Sequence, residues 1–161
     1  MKTILGDIMK HFLKALLGFF GTLLAVCLIL ILCLNSFLNN NLSKREIFRL
    51  VNNYSDTILV DIEENNFDNI RAIKGVTDII YEEVVEVKCG GKGFASASSY
   101  YGFYYYDKDV PVVMFNGKIS DSDTTNLLTD NKGYSFQEKN TDNKYYTEKI
   151  SPCFYYYEWH F

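Results

Sequence analysis

Histidine, tryptophan, proline and cysteine are all scarce in this 161-residue chain, which holds two, one, two and four of them. His11 precedes an apolar stretch and His160 stands next to Phe161. Neither has a recognisable nucleophile beside it, so no Ser-His-Asp set can be assembled from neighbours in the sequence. So few His and Cys leave no metal-ligand spacing, and neither a metal nor a cofactor is expected. An excess of basic charge is missing as well: 16 Lys and Arg face 20 Asp and Glu. Residues 43–161 alone are acidic by six charges, which excludes a nucleic-acid surface and a body held by charge to anionic lipid.

Charge of either sign is absent from Ala15 to Leu34. A helix of that length spans about 30 Å, the thickness of a bilayer's hydrocarbon core, so the segment is expected to be a transmembrane anchor in contact with lipid. A cleaved signal would have a shorter apolar region and a small-x-small site, for which Leu34-Asn35-Ser36 is a poor substitute. Val26 before Cys27 and Leu32 before Cys33 do not fit a lipoprotein signal. Gly18, Phe19, Phe20 and Gly21 offer no polar face, which argues against a soluble helix. The expected division is a tail over 1–14, the anchor over 15–34, a connector over 35–42 and a domain over 43–161. Lys2, Lys10 and Lys14 nearly balance Lys44, Arg45 and Arg49 across the span. The uncharged run Asn35 to Ser43 favours a cytoplasmic N-terminus and an extracytoplasmic domain.

Ser43-Lys44-Arg45-Glu46 fits a capping box and predicts a helix starting at Lys44, with Ile47, Leu50, Val51, Tyr54, Ile58 and Ile62 along one face. The Asn52-Asn53 pair leaves open a helix that ends near Asn53, followed by a strand over Thr57 to Ile62. From Val76 the period becomes two. Strands are expected near Val76–Tyr81, Val84–Cys89, Tyr100–Tyr106, Val112–Phe115, Gly133–Glu138, Lys144–Ile150 and Cys153–Phe161. Without intervening helices these pair mainly antiparallel. The fold class is α+β: a transmembrane helix, then an amphipathic helix packed on an aromatic-rich sheet.

Phe, Trp and Tyr make up 16% of the chain. Because alternate strand residues face opposite ways, runs such as Tyr155-Tyr156-Tyr157 load both faces of a sheet. One face fills the core under the helix, and the other lies under loops, under a partner or in water. Cross-strand aromatic pairing on an exposed face is one reading. The other is a stacking platform for sugars, peptides or a partner protein, with Tyr101, Tyr104, Tyr105, Tyr146, Tyr156 and Trp159 as candidate ligand-binding residues.

The motifs Cys89-Gly90-Gly91-Lys92-Gly93, Tyr100-Tyr101-Gly102-Phe103-Tyr104-Tyr105, Tyr145-Tyr146-Thr147-Glu148-Lys149-Ile150 and Phe154-Tyr155-Tyr156-Tyr157-Glu158 together resemble a group of small single-pass membrane-anchored proteins of clostridia and related low-GC Gram-positive bacteria. The likeness runs from about Ile70 onward. It implies a bacterial cell-envelope setting and carries over no activity and no catalytic residue.

Cys89 and Cys153 are the cysteines outside the apolar span. Bridged, they would close a loop of about 65 residues and add about 4 kcal/mol; unbridged, they are packed thiols. Gly90-Gly91-Lys92-Gly93 lacks P-loop spacing and reads as a flexible turn. Asp121-Ser122-Asp123-Thr124-Thr125 resembles a DxDxT phosphotransferase signature only superficially. It has Asn126 and Lys132 where a calcium loop needs Gly and Glu, so it reads as a solvated acidic turn. Glu82-Glu83 belongs to a hairpin turn. Glu148 and Glu158, in aromatic strands, form the one carboxylate pair that a glycosidase could use. The leading expectation is therefore a membrane-anchored binding or structural module with a protein or cell-wall glycan partner. A pilin-like subunit is the second reading; against it, Leu23 stands where such proteins carry Glu, and Asn35 to Asn41 interrupts the helix. A glycan hydrolase working through Glu148 and Glu158 is the third.

Overall fold

The computed structural model describes residues 2–38, 41–94 and 97–161, and the chain divides into two compact units, Met1–Asn39 and Asn40–Phe161. In the first, a single helix α1 runs Lys2–Leu38. Its stretch Leu16–Cys33 is long and apolar enough to cross a membrane. Side chains all round that stretch are exposed. Helical pairing continues past both ends of the expected 15–34 span, into the expected tail and connector.

The second unit begins with helix α2, Lys44–Glu63. Its capping box is closed on both sides: the Ser43 amide donates to Glu46 Oε2 at 2.8 Å and the Glu46 amide donates to Ser43 Oγ at 3.4 Å, which satisfies two of the free first-turn donors. Ile47, Leu50, Val51 and Ile58 are buried along one face. The alternative strand over Thr57 to Ile62 does not form. Ile58, two turns beyond Val51, has a place under the sheet only if the helix continues through Asn52-Asn53, and that burial outweighs the weak propensity of the Asn pair. Tyr54, expected on this face, is exposed. A short helix α3, Asp68–Arg71, is tied to α2 by the buried Asp61, whose carboxylate accepts from the Ile70 amide at 2.9 Å and from Asn69 Nδ2 at 2.7 Å.

The strands are β1 Asp78–Tyr81, β2 Val85–Phe94, β3 Ala97–Tyr105, β4 Met114–Phe115, β5 Lys118–Ile119, β6 Leu128–Asp130, β7 Gly133–Gln137, β8 Lys144–Ser151 and β9 Phe154–His160, with a one-turn helix α4, Asp121–Thr124, after β5. Seven of them form an antiparallel sheet in the order β1-β2-β3-β9-β8-β7-β6, while β4 and β5 make a separate hairpin. The last strand, β9, lies in the middle and zips two three-stranded halves together. Gly90 to Gly93 do not turn as expected; they extend β2 beyond an irregularity between Lys88 and Gly90. Gly102 opposite this point is required by close approach, because a Cβ there would lie 2.0 Å from the Val87 carbonyl oxygen.

Alternation along the central strands produces two cores. On one face, Val85, Val87, Cys89, Phe103, Phe154 and Tyr156 pack beneath α2 and α3. On the other, Tyr104, Tyr145, Tyr155, Tyr157 and Trp159 pack against Tyr106, Val112, Val113 and Met114. The second face is thus neither solvated nor open: the largely irregular segment between β3 and β6 crosses it. Val112 to Phe115, expected as a strand, supplies this lid, and only Met114–Phe115 is extended enough to pair. A buried carboxylate fastens the lid. Glu86 accepts from the Gly117 amide at 2.8 Å and from the Tyr157 hydroxyl at 2.6 Å, so its charge is met on both oxygens.

Candidate functional site

Antiparallel register places opposed residues on one face. On the face that carries α2, Ser99 stands opposite Lys92 on one side and His160 on the other, while Tyr101 stands opposite Glu158 and Phe103 opposite Tyr156. Across the next ladder Tyr146 is opposite Glu158 and Glu148 opposite Tyr156. Glu148 and Glu158 are therefore diagonal neighbours, interleaved with two tyrosines.

Their environments differ. Lys44, in the first turn of α2, brings Nζ to 2.6 Å from Glu148 Oε2 and lies 4.5 Å and 4.9 Å from the ring centroids of Tyr146 and Tyr156. Tyr146 donates to the same carboxylate at 2.7 Å. Burial works against the charge on Glu148, but the hydrogen bonds from Lys44 and Tyr146 and the charge of Lys44 outweigh it and hold the carboxyl below its usual range. Burial and the neighbouring carboxylate raise the Tyr146 hydroxyl in turn. Glu148 is thus an ionised anchor for α2, unsuited to donating a proton to a leaving group. Glu158 accepts from the Tyr156 hydroxyl, and its Oε2 is 3.2 Å from His160 Nε2. His160 Nδ1 is 2.9 Å from Ser99 Oγ. Above these groups opens a cleft of about 230 Å3, walled by Leu42, Ser43 and Lys44 on one side and by Lys92, Ser99, Tyr101, Tyr156, Glu158 and His160 on the other.

A larger notch of about 420 Å3 lies at the rim of the other face. Trp159 and Phe161 stack at 5.3 Å with planes 13° apart, and Phe115 meets both edge-on at 6.1 Å and 5.8 Å. The indole is fixed by donation from Nε1 to the Met114 carbonyl at 2.7 Å. Lys118, Asp123, Glu138 and Asn143 surround the rings with polar groups. Phe115 is 52% exposed, an unusual position for a phenyl ring packed on its neighbours.

The six aromatic candidates do not form one platform. Tyr101 and Tyr156 line the cleft, Tyr146 holds Lys44, and Tyr105 packs on Phe154 at 5.3 Å. Tyr104 lies on the opposite face and has no open surface. Its hydroxyl accepts from the Val112 amide at 3.1 Å and is 3.1 Å from Thr147 Oγ1, and burial pushes it up to about 12. Trp159 forms the floor of the notch. Of the two alternatives for Cys89 and Cys153, the structure has the unbridged one, with both thiols free. Cys153 sits at the β8–β9 turn, where its carbonyl accepts from the Tyr106 amide. Tyr105 beside it is opposite Val85, four residues along β2 from Cys89. That is about 13 Å of strand, and a disulfide needs Cα atoms within about 7 Å. Burial pushes the Cys89 thiol up to about 12, which makes it unreactive. Glu83, of the Glu82-Glu83 pair, accepts from the Ile119 amide at 2.6 Å, and Asp121 to Thr124 form α4. Among the described residues no group of three His, Cys, Asp or Glu comes together.

Sequence reasoning missed Ser99 and Phe115. Ser99 is 61 positions from His160 and meets it only through the β3–β9 register. Phe115 reaches Trp159 only because the lid crosses the sheet. No protein-family model, no curated protein and no solved structure matches the chain.

Proposed function

We propose that this protein is a membrane-anchored binding module of the bacterial cell envelope, with its N-terminus cytoplasmic and its sheet domain outside, and that it holds glycan in the notch formed by Phe115, Trp159 and Phe161. The apolar helix Leu16–Cys33 supports the anchor. The acidic body, with its charge repelled from anionic lipid, supports a domain that does not itself bind lipid. The observation that carries the ligand reading is the open Phe115 ring set against a stacked indole–phenyl pair and ringed by carboxylate, amide and ammonium groups. Sugars present apolar C–H faces to aromatic rings and hydroxyls to such a rim, so both halves of the notch have a use.

Trp159 is the one tryptophan of the chain and therefore reports on its own site. Full-length protein in lipid nanodiscs, titrated with soluble oligosaccharides of N-acetylglucosamine, is expected to show a saturable change in indole emission. Phe115→Ala should weaken the half-saturation point by about tenfold, corresponding to about 1.4 kcal/mol of stacking. Emission that stays flat up to millimolar sugar, or an unchanged midpoint in Phe115→Ala, would show that the notch does not bind glycan.

A further inference from the structure

The cleft on the opposite face holds a second set of groups, independent of the notch. We infer that Ser99, His160 and Glu158 form a nucleophile, base and orienting carboxylate that cleave small oxygen esters. Ser99 Oγ lies 2.9 Å from His160 Nδ1 and His160 Nε2 lies 3.2 Å from Glu158 Oε2, and all three line one open cleft of about 230 Å3. Both distances fall near the range that proton transfer and its orientation require. Glu158 accepts only, so it fixes the imidazole proton on Nε2 and leaves the Nδ1 lone pair facing the serine hydroxyl. The Tyr156 hydroxyl bonded to the other carboxylate oxygen keeps Glu158 from turning away.

Lys92 completes the set. It stands opposite Ser99 on the flank away from His160, lines the same cleft and has no ion pair among the described residues, whereas Lys44 is committed to Glu148. The nucleophile thus has its base on one strand neighbour and a lysine on the other, a cation within the same cleft that offsets negative charge developing on a carbonyl oxygen. Lys92 and Glu158 balance each other, so a neutral ester is favoured over a strongly charged one. Tyr101 and Tyr156 supply apolar wall, and the volume admits only a short acyl group.

In the acylation step the Ser99 oxygen bonds the ester carbon as its proton passes to His160 Nδ1, and the carbonyl electron pair moves onto the oxygen facing Lys92. When that pair returns, the bond to the alkoxy oxygen breaks and the leaving alcohol takes the proton from Nδ1. Water then attacks the acyl-serine carbon with His160 again accepting the proton, which releases the carboxylic acid and restores Ser99. Atoms balance with one ester and one water consumed, and no electron acceptor is needed.

Full-length protein in nanodiscs is treated with a biotinylated fluorophosphonate, mapped by peptide mass spectrometry, and assayed for p-nitrophenyl acetate hydrolysis. The label is expected on Ser99, and Ser99→Ala is expected to lose both label and turnover. His160→Gln should lower the labelling rate by about 100-fold or more. Glu158→Gln is expected to lower kcat for the ester and to leave KM in place, because the imidazole loses the group that orients it while the cleft keeps its walls. A purely structural carboxylate would instead move KM and the melting temperature together. The sugar titration reads the Trp159 indole and the fluorophosphonate reads the Ser99 hydroxyl, so the two sites fail or succeed separately. Should Ser99 stay unlabelled, or should ester turnover in Ser99→Ala equal that of the unaltered protein, the relay is not a catalyst. The conservative Ser99→Ala exchange at a strand position keeps this outcome readable even where a His160 variant unfolds.

Discussion

The two faces of the central sheet are built from the same strands and covered in opposite ways. One carries a regular helix whose apolar stripe recurs at three and four residues; the other carries a lid that is mostly turn. Their cores are comparable in size and both are rich in aromatic rings. The helix satisfies its own backbone, so its cover needs only apolar contact. The lid cannot do so, and its backbone groups are met individually by the sheet: Gly117 by Glu86, Val112 by the Tyr104 hydroxyl, Met114 by the Trp159 indole. Tyr104 and Tyr157 on the lid side therefore act through their hydroxyls as well as their rings, whereas Phe103 and Phe154, which carry none, lie under the helix.

That contrast can be tested by disturbing one cover at a time. Phe103→Ala is expected to have the largest effect, about 3–5 kcal/mol of stability lost, because a fully buried ring leaves a cavity under α2. Urea unfolding of the full-length protein in nanodiscs would measure it, and amide exchange should quicken throughout the sheet. Tyr157→Phe is expected to cost less, about 1.5–3 kcal/mol, because it keeps the ring and removes one hydrogen bond to a buried carboxylate. In that variant exchange should quicken in residues 106–127 before it does in α2. An equal response in both covers would mean that the lid is no more polar in its attachment than the helix.

The smallest effect concerns pH. Glu148 has its folded pKa below the unfolded one, so its contribution to stability is complete above the unfolded value, about 4.3. It fades as pH falls through the folded value. Melting temperature measured in nanodiscs should thus decline below about pH 4, and Lys44→Met should flatten that part of the decline. A slope unchanged in Lys44→Met would show that the Lys44–Glu148 contact does not fasten the helix.

Local signals were legible. Ser43 and Glu46 placed the start of α2, the Ile47-Leu50-Val51-Ile58 spacing gave its buried face, and alternation found most strands within a few residues. The failures share a cause. Gly90 to Gly93 read as a turn because glycine permits turns, whereas here Gly90 leaves room for the Tyr101 side chain in an extended strand. Val112 to Phe115 read as a strand because β-branched residues suit one, yet only Met114–Phe115 pairs, and it does so with β5 rather than with the main sheet. Whether Cys89 and Cys153 are bridged was left open by their count, and it is strand register that keeps the two free thiols apart. Of the candidate site, Glu158, Tyr101, Tyr156 and Trp159 could be named in advance, but not which of them share a cleft.

The apolar helix, the amphipathic helix after it and the strongly aromatic antiparallel sheet that comes next can all be read from residue order alone, because each rests on periodicity within some twenty residues. That the last strand lies at the centre emerged only from long-range pairing. From that placement follows the meeting of Ser99 with His160. The physical reason is that register is a property of two strands together: it is fixed by the summed packing of both faces, and no residue encodes its partner alone.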